Sequence, residues 1–217
     1  MELQLNQIDV QPGERVLLRD ISWNEFELIV EELGENHPSH RLAYYKGMLE
    51  IMVPLPGHED RKEFIGDLVK VLLEELDTEF RSLGSSTFKQ QIMASGVEPD
   101  ACFYIQNEVI IRGKDRIELN TDPPPDLAIE IDYTTDSQLK KRSYEALGIP
   151  ELWLYNEQTL RIYVLREHKY IESDTSSNFP TIPIANVISR YFAQSRVEGR
   201  NKTIKAFRAW VAKELAG

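Results

Sequence analysis

The segment Pro125-Asp126-Leu127-Ala128-Ile129-Glu130-Ile131-Asp132 constrains the fold more than any other stretch of the chain. Side chains of a β-strand alternate between the faces of a sheet, so Leu127, Ile129 and Ile131 fall on one face and Asp126, Ala128, Glu130 and Asp132 on the other. An ordinary amphipathic edge strand, with its acids in water, would give the same alternation. Against it stands charge repulsion, because carboxylates two residues apart on one pleated face crowd each other unless a cation or base lies between them. A divalent metal would relieve that repulsion.

A second acid has similar character. In Glu98-Pro99-Asp100-Ala101-Cys102-Phe103-Tyr104-Ile105, Asp100 follows a proline and leads into the longest uninterrupted apolar run of the chain. A charge at the mouth of a buried strand is costly unless it is paired or coordinated, although Asp beside proline also caps turns. Together with Glu130 it offers an oxygen pair from two strands, the hard donor set that Mg2+ prefers while keeping waters and substrate phosphates.

A cationic segment follows the acidic strand. In Asp136-Ser137-Gln138-Leu139-Lys140-Lys141-Arg142-Ser143-Tyr144 a helix would point Lys140 and Tyr144, four apart, in the same direction. Lysine near a metal site can orient or help deprotonate an attacking water and counter charge in a phosphoryl-transfer transition state. In isolation, a Lys-Lys-Arg run is equally a solvated face.

With these segments, and with Ala146-Leu147-Gly148-Ile149-Pro150-Glu151-Leu152-Trp153 after them, the chain resembles the Uma-type family of bacterial restriction-endonuclease-like proteins, grouped with the PD-(D/E)XK nuclease superfamily. The resemblance runs from about Trp23 to Tyr163 and is strongest in PPDLAIEI and YEALGIPELW. It implies Asp100 and Glu130 as metal ligands; in a metal-dependent nuclease the backbone carbonyl of Ile131 would be a candidate to join them. The lysine usual two positions after the glutamate is absent, since Asp132 stands there, and the resemblance moves that role to Lys140 in a Lys-x-x-x-Tyr spacing that includes Tyr144. Lys141 is the neighbouring alternative. It also implies a four-stranded mixed core sheet flanked by helices, with a long helix packed on it that contributes His58 or Glu63. Both of these also suit an ordinary first helical turn.

The remaining pattern reads as mixed α/β. Ser22 and Glu25 have capping-box spacing ahead of an apolar stripe that ends at Leu33. Lys46-Gly47 joins two β-rich runs as a hairpin. Apolar residues at helical spacing predict a long helix from His58 to Phe80, followed by β-prone segments at TFKQQIMA, 100–105 and 127–131. A helix ends near Gly148 and Pro150, a strand pair flanks 156–158, and a helical extension covers about 183–215. These elements predict one domain over 1–217, with a nuclease-like core at about 20–165 and an added N-terminal helix and hairpin.

Several functional classes are disfavoured. One cysteine allows no internal disulfide or cysteine-rich zinc site and suits a reducing cytoplasm, Cys102 itself reading as core. The apolar runs are far short of the roughly 20 residues that span a bilayer, and the acidic start is unlike a secretion signal. His37 and His40 lie in a polar loop and read as surface groups. Trp153 and Tyr155 read as packing, and neither a Gly-rich phosphate loop nor a serine elbow occurs. The net charge of -11 arises wholly in residues 1–80, with 18 acids and 7 bases, while 189–217 holds 7 bases and 2 acids. The expectation is a Mg2+- or Mn2+-dependent DNA endonuclease, acting as a homodimer because two symmetric sites suit two strands. DNA would approach across 112–116, 140–142 and the basic tail. The alternative is a catalytically weak or inactive nuclease-fold protein acting as a binding or assembly module.

Overall fold

The computed structural model describes residues 10–36, 40–131, 138–156 and 159–215. A first antiparallel sheet is built around the hairpin. Its strands are β1 (Arg15–Leu18), β2 (Arg41–Tyr45), β3 (Met48–Met52), and, later in the chain, β5 (Phe88–Gln90) and β6 (Ser95–Val97), in the order β1-β3-β2-β6-β5. Lys46 (φ 47°) and Gly47 (φ 85°) both take the positive φ of the tight turn whose twist matches its strands. Helix α1 (Trp23–Asn36) covers one face, burying Phe26, Ile29 and Leu33 against Leu42, Tyr44, Leu49 and Ile51. Its start is the expected capping box: the Ser22 amide donates to Glu25 Oε2 at 2.7 Å and the Glu25 amide to Ser22 Oγ at 3.3 Å. The expected single segment TFKQQIMA is instead β5 followed by a turn into β6, with Ala94 at φ 46°.

Helix α2 (Pro56–Glu75) begins with its proline in the first turn, where a missing N–H is harmless. It stops five residues short of the expected Phe80. Asp77 adopts φ 51°, and the amides of Asp77 and Thr78 donate back to Glu74 and Leu73 at 3.1 and 2.9 Å. This is the Schellman closure, with aspartate at the left-handed position that glycine usually signals.

The second sheet is mixed and holds six strands rather than the four expected. Its order is β11-β10-β9-β8-β7-β4, from β4 (Arg81–Ser82), β7 (Ala101–Tyr104), β8 (Leu127–Ile131), β9 (Glu151–Asn156), β10 (Thr159–Arg166) and β11 (Lys169–Ser173). Only β8 and β9 run parallel among these pairs, joined through α4 (Gln138–Leu147), as a parallel pair requires a crossover. A short helix α3 (Glu108–Ile111) lies in the excursion between β7 and β8.

The alternation in β8 holds, but both faces are buried. Leu127, Ile129 and Ile131 join α2 and the C-terminal helices α5 (Ile184–Glu198) and α6 (Arg200–Leu215) in one core. Ala128 joins Leu139, Tyr144 and Leu147 of α4, together with Ala43, Phe88 and Val97 of the first sheet, in a second core. Helix α4 is thus sandwiched between the sheets, and β8 is a central strand, so the amphipathic edge-strand alternative falls. No helix among the described residues is long and apolar enough to cross a membrane.

Candidate active site

The antiparallel register of β7 and β8 pairs Ala101 with Ile129 and Phe103 with Leu127. Continued by one residue, it sets Asp100 opposite Glu130, the cross-strand arrangement in which side chains share a face and like charges destabilise. Both carboxylates are buried, at 0 and 2% exposure. The amide of Ile131 donates to Asp100 Oδ2 at 2.7 Å, fixing the aspartate across the strand pair. Asp100 Oδ1 is buried and accepts no hydrogen bond from the described residues.

The next helix supplies the cation. Lys140 Nζ donates to Glu130 Oε2 at 2.7 Å, and the Tyr144 hydroxyl donates to Glu130 Oε1. Two residues one helical turn apart therefore engage both oxygens of one carboxylate, as the Lys-x-x-x-Tyr spacing allows. Lys140 is only 9% exposed, so its charge is held against the buried carboxylates and is not spread over the open surface. Lys141 points elsewhere, with its amine 3.8 Å from the centre of the Tyr163 ring. Asp132 lies outside the described residues.

The first turn of α2 adds His58, also 2% exposed, with Nε2 3.0 Å from Asp100 Oδ2 and Nδ1 3.7 Å from Glu59 Oε1. The 3.0 Å contact is in ion-pair range but off the direction of a hydrogen bond, and both ring nitrogens lack a directed partner among the described residues. Glu63 is exposed on the same helix. Asp126, which alternates with Glu130 in sequence, instead ties down the loop after β7. Its carboxylate accepts from the amides of Ile105 and Asn107 and from Asn107 Nδ2, at 2.7 to 3.0 Å.

Electrostatics divides the two acids. Burial raises Glu130 above the ordinary carboxylate range, Lys140 opposes this, and the neighbouring Asp100 adds to it. Burial also works against charge on Asp100, yet His58, Lys140 and the Ile131 amide outweigh it and hold that group low. Burial would lower Lys140, but Glu130 and Asp100 raise it. Glu50, which is buried, also acts on Lys140, as Lys140 does on the half-buried Glu98. Neither glutamate stands out in the sequence. Alternation in MLEIM separates Glu50 from Leu49 and Ile51 but cannot reveal that α4 covers its face.

This donor set suits a hard cation held by two carboxylates. Asp100 Oδ1 is a buried acceptor with spare capacity, and Glu130 is a carboxyl that a nearby cation would bring back toward ionisation. Among the described residues no three His, Cys, Asp or Glu side chains converge at metal-ligand spacing.

Part of the basic tail lies against α2. Arg200 pairs with Asp67, and Arg208 pairs with Glu74 and Glu75 at 2.6 and 2.5 Å, so α6 turns these charges onto α2.

No curated protein matches the sequence. Among solved structures the chain is similar to one described as a "putative nuclease belonging to DUF820" from Anabaena variabilis, at 18% identity and a TM-score of 0.44, covering 78% of this chain and 90% of that one. Residues 23–193, which run from the start of α1 into α5 and include Asp100, Glu130 and Lys140, match the Uma2 family, described as "Putative restriction endonuclease", and the chain belongs to that family.

Proposed function

We propose that the chain is a metal-dependent DNA endonuclease whose site is Asp100, Glu130 and Lys140, with His58 and Tyr144 positioning the two acids. The observation that carries this function is the pair of buried carboxylates facing each other across β7 and β8 with a buried ammonium on one of them. Asp100 and Glu130 would hold Mg2+ or Mn2+, and the Ile131 carbonyl lies in the same strand. A cation bound there would polarise the scissile phosphate and acidify a water. The Ile131 amide fixes Asp100 Oδ2, with His58 Nε2 3.0 Å from the same oxygen, so Oδ1 would be the oxygen offered to a cation. Lys140 keeps positive charge beside Glu130, where it can steady the negative charge that builds on the phosphate as the P–O bond breaks.

Cleavage of plasmid and short duplex DNA in Mg2+ or Mn2+ tests this. Asp100→Asn and Glu130→Gln, nearly isosteric and checked for folding by circular dichroism, should each lower the rate by about a hundredfold or more, the scale of losing several kcal/mol of charge stabilisation. Wild-type rates in both variants would refute the assignment.

One observation favours a second function, a nuclease-fold protein that binds or assembles without cutting: both Glu130 oxygens are already engaged by Lys140 and Tyr144. Calorimetric titration with Mg2+ and Mn2+ separates the two, since absence of binding at millimolar ion favours the non-cutting protein.

A further inference from the structure

A cavity of about 330 Å3 opens between the β4–β5 connection and the loop 115–118, apart from the carboxylate pair. Its volume lies at the lower end of the range, about 300 to 1,000 Å3, that small-molecule sites occupy. Its polar lining is balanced in sign, with Arg81 and Arg116 against Asp115 and Glu118, and the Thr87 hydroxyl beside them. Phe88, with Leu83 and Ile117, supplies apolar wall. A phosphate pocket would show an excess of cations. Paired guanidinium donors and carboxylate acceptors around an apolar wall instead match the edge of a nucleobase, where Arg donates to guanine acceptors and Asp or Glu accepts from exocyclic amines.

The cavity is also pre-shaped and linked to the proposed site. Arg81 is held by donation to the Ile111 carbonyl at 2.7 Å. Thr87 is held by Glu98 Oε1 at 2.6 Å, two residues before Asp100, and Ser85 Oγ donates to the Asp100 carbonyl at 3.2 Å. The opposite wall is fixed as well: Asp122 pairs with Lys114 and accepts the Glu118 amide at 3.0 Å, and Gln90 donates to the Leu119 carbonyl at 3.2 Å. Groups fixed in advance lose little freedom on binding. Phe88 also belongs to the same core as Ala128 and Tyr144, so the cavity lies on the face of the second sheet that carries Glu130.

We infer that this cavity receives one unpaired nucleobase of the DNA strand whose backbone passes the Asp100–Glu130 pair. The inference rests on the nuclease function proposed above and adds a preference for single-stranded or locally opened DNA. Because a duplex base cannot leave its stack without cost, single-stranded DNA should bind more tightly than duplex of the same sequence.

Fluorescence anisotropy with the full chain tests it, using a short labelled single strand and the same backbone carrying abasic sugars throughout. Arg116 and Glu118 are exposed, so Arg116→Ala and Glu118→Gln leave the core untouched. Each should weaken binding of the normal strand by about tenfold, as loss of one good base contact does, and should leave binding of the abasic strand unchanged. Equal loss on both strands would overturn the inference in favour of a phosphate contact. Wild-type affinity in both variants, with DNA cleavage intact, would overturn the cavity alone. Failure of the wild-type protein both to bind and to cut DNA would overturn the cavity together with the nuclease function.

Discussion

Lys140 stands ten positions after Glu130, yet its amine meets that carboxylate at 2.7 Å in the interior. Removing one partner of such a pair leaves a buried charge without compensation, which costs about 3–5 kcal/mol. Lys140→Ala should therefore lower unfolding free energy by that amount in denaturant titrations followed by circular dichroism, besides abolishing cleavage. A loss below about 1 kcal/mol would place the lysine among surface pairs. The lysine was legible because residues four apart in a helix point the same way, and Tyr144 answers Lys140 on the other oxygen of Glu130. His58 was less so, since a first-turn histidine before an acid suits a solvated helix end. A signal existed: Ile65 and Leu72 follow His58 at steps of seven, and both are buried, so the apolar stripe of α2 extended backward arrives at His58. The same stripe leaves Glu63 exposed.

At the scale of elements, the strand that opens PELW is anchored by an acid that sequence alone leaves unremarked. Glu151, fully buried at the start of β9, accepts from Trp153 Nε1, Ser176 Oγ and the Ser177 amide at 2.6 Å each, and from the Asn178 amide at 3.3 Å. The segment 176–178 is thereby tied to the sheet below Phe179, which enters the main core. In Glu151→Gln an amide replaces one acceptor oxygen, so donors on that side lose their partner whichever way the amide turns. The expected cost is about 2 kcal/mol, from burying donors without acceptors, read as a lower midpoint in thermal unfolding. An unchanged midpoint would mean that water replaces the lost acceptor. Such anchors are hard to see in advance because three of the four donors lie 25 to 27 residues away, beyond the reach of periodicity. The local devices were legible: the Ser22–Glu25 capping box and the Lys46-Gly47 turn both rest on neighbours in sequence. The end of α2 was not, because aspartate occupies a left-handed position that glycine more often marks.

For the whole molecule, the separation of charge along the chain acquires a structural meaning. The acidic excess of residues 1–80 and the basic excess of 189–217 meet where α6 lies against α2, above the buried side chains of Phe207 and Val211. Arg200 and Arg208 thereby neutralise part of the acidic front on α2. These pairs are exposed, so each is worth only about 0.2–1 kcal/mol, and salt screens them. Arg208→Ala should therefore reduce stability by less than about 1 kcal/mol at low ionic strength, and the difference from wild type should shrink when the unfolding titration is repeated in concentrated salt. Its affinity for DNA should match wild type, with the same dependence on salt, because no phosphate contact is lost. In Arg116→Ala, by contrast, affinity should fall and stability should hold. If Arg208→Ala instead weakens DNA binding and flattens its salt dependence, the basic tail leaves α2 to meet the nucleic acid, and the α2–α6 pairs are contacts that DNA displaces.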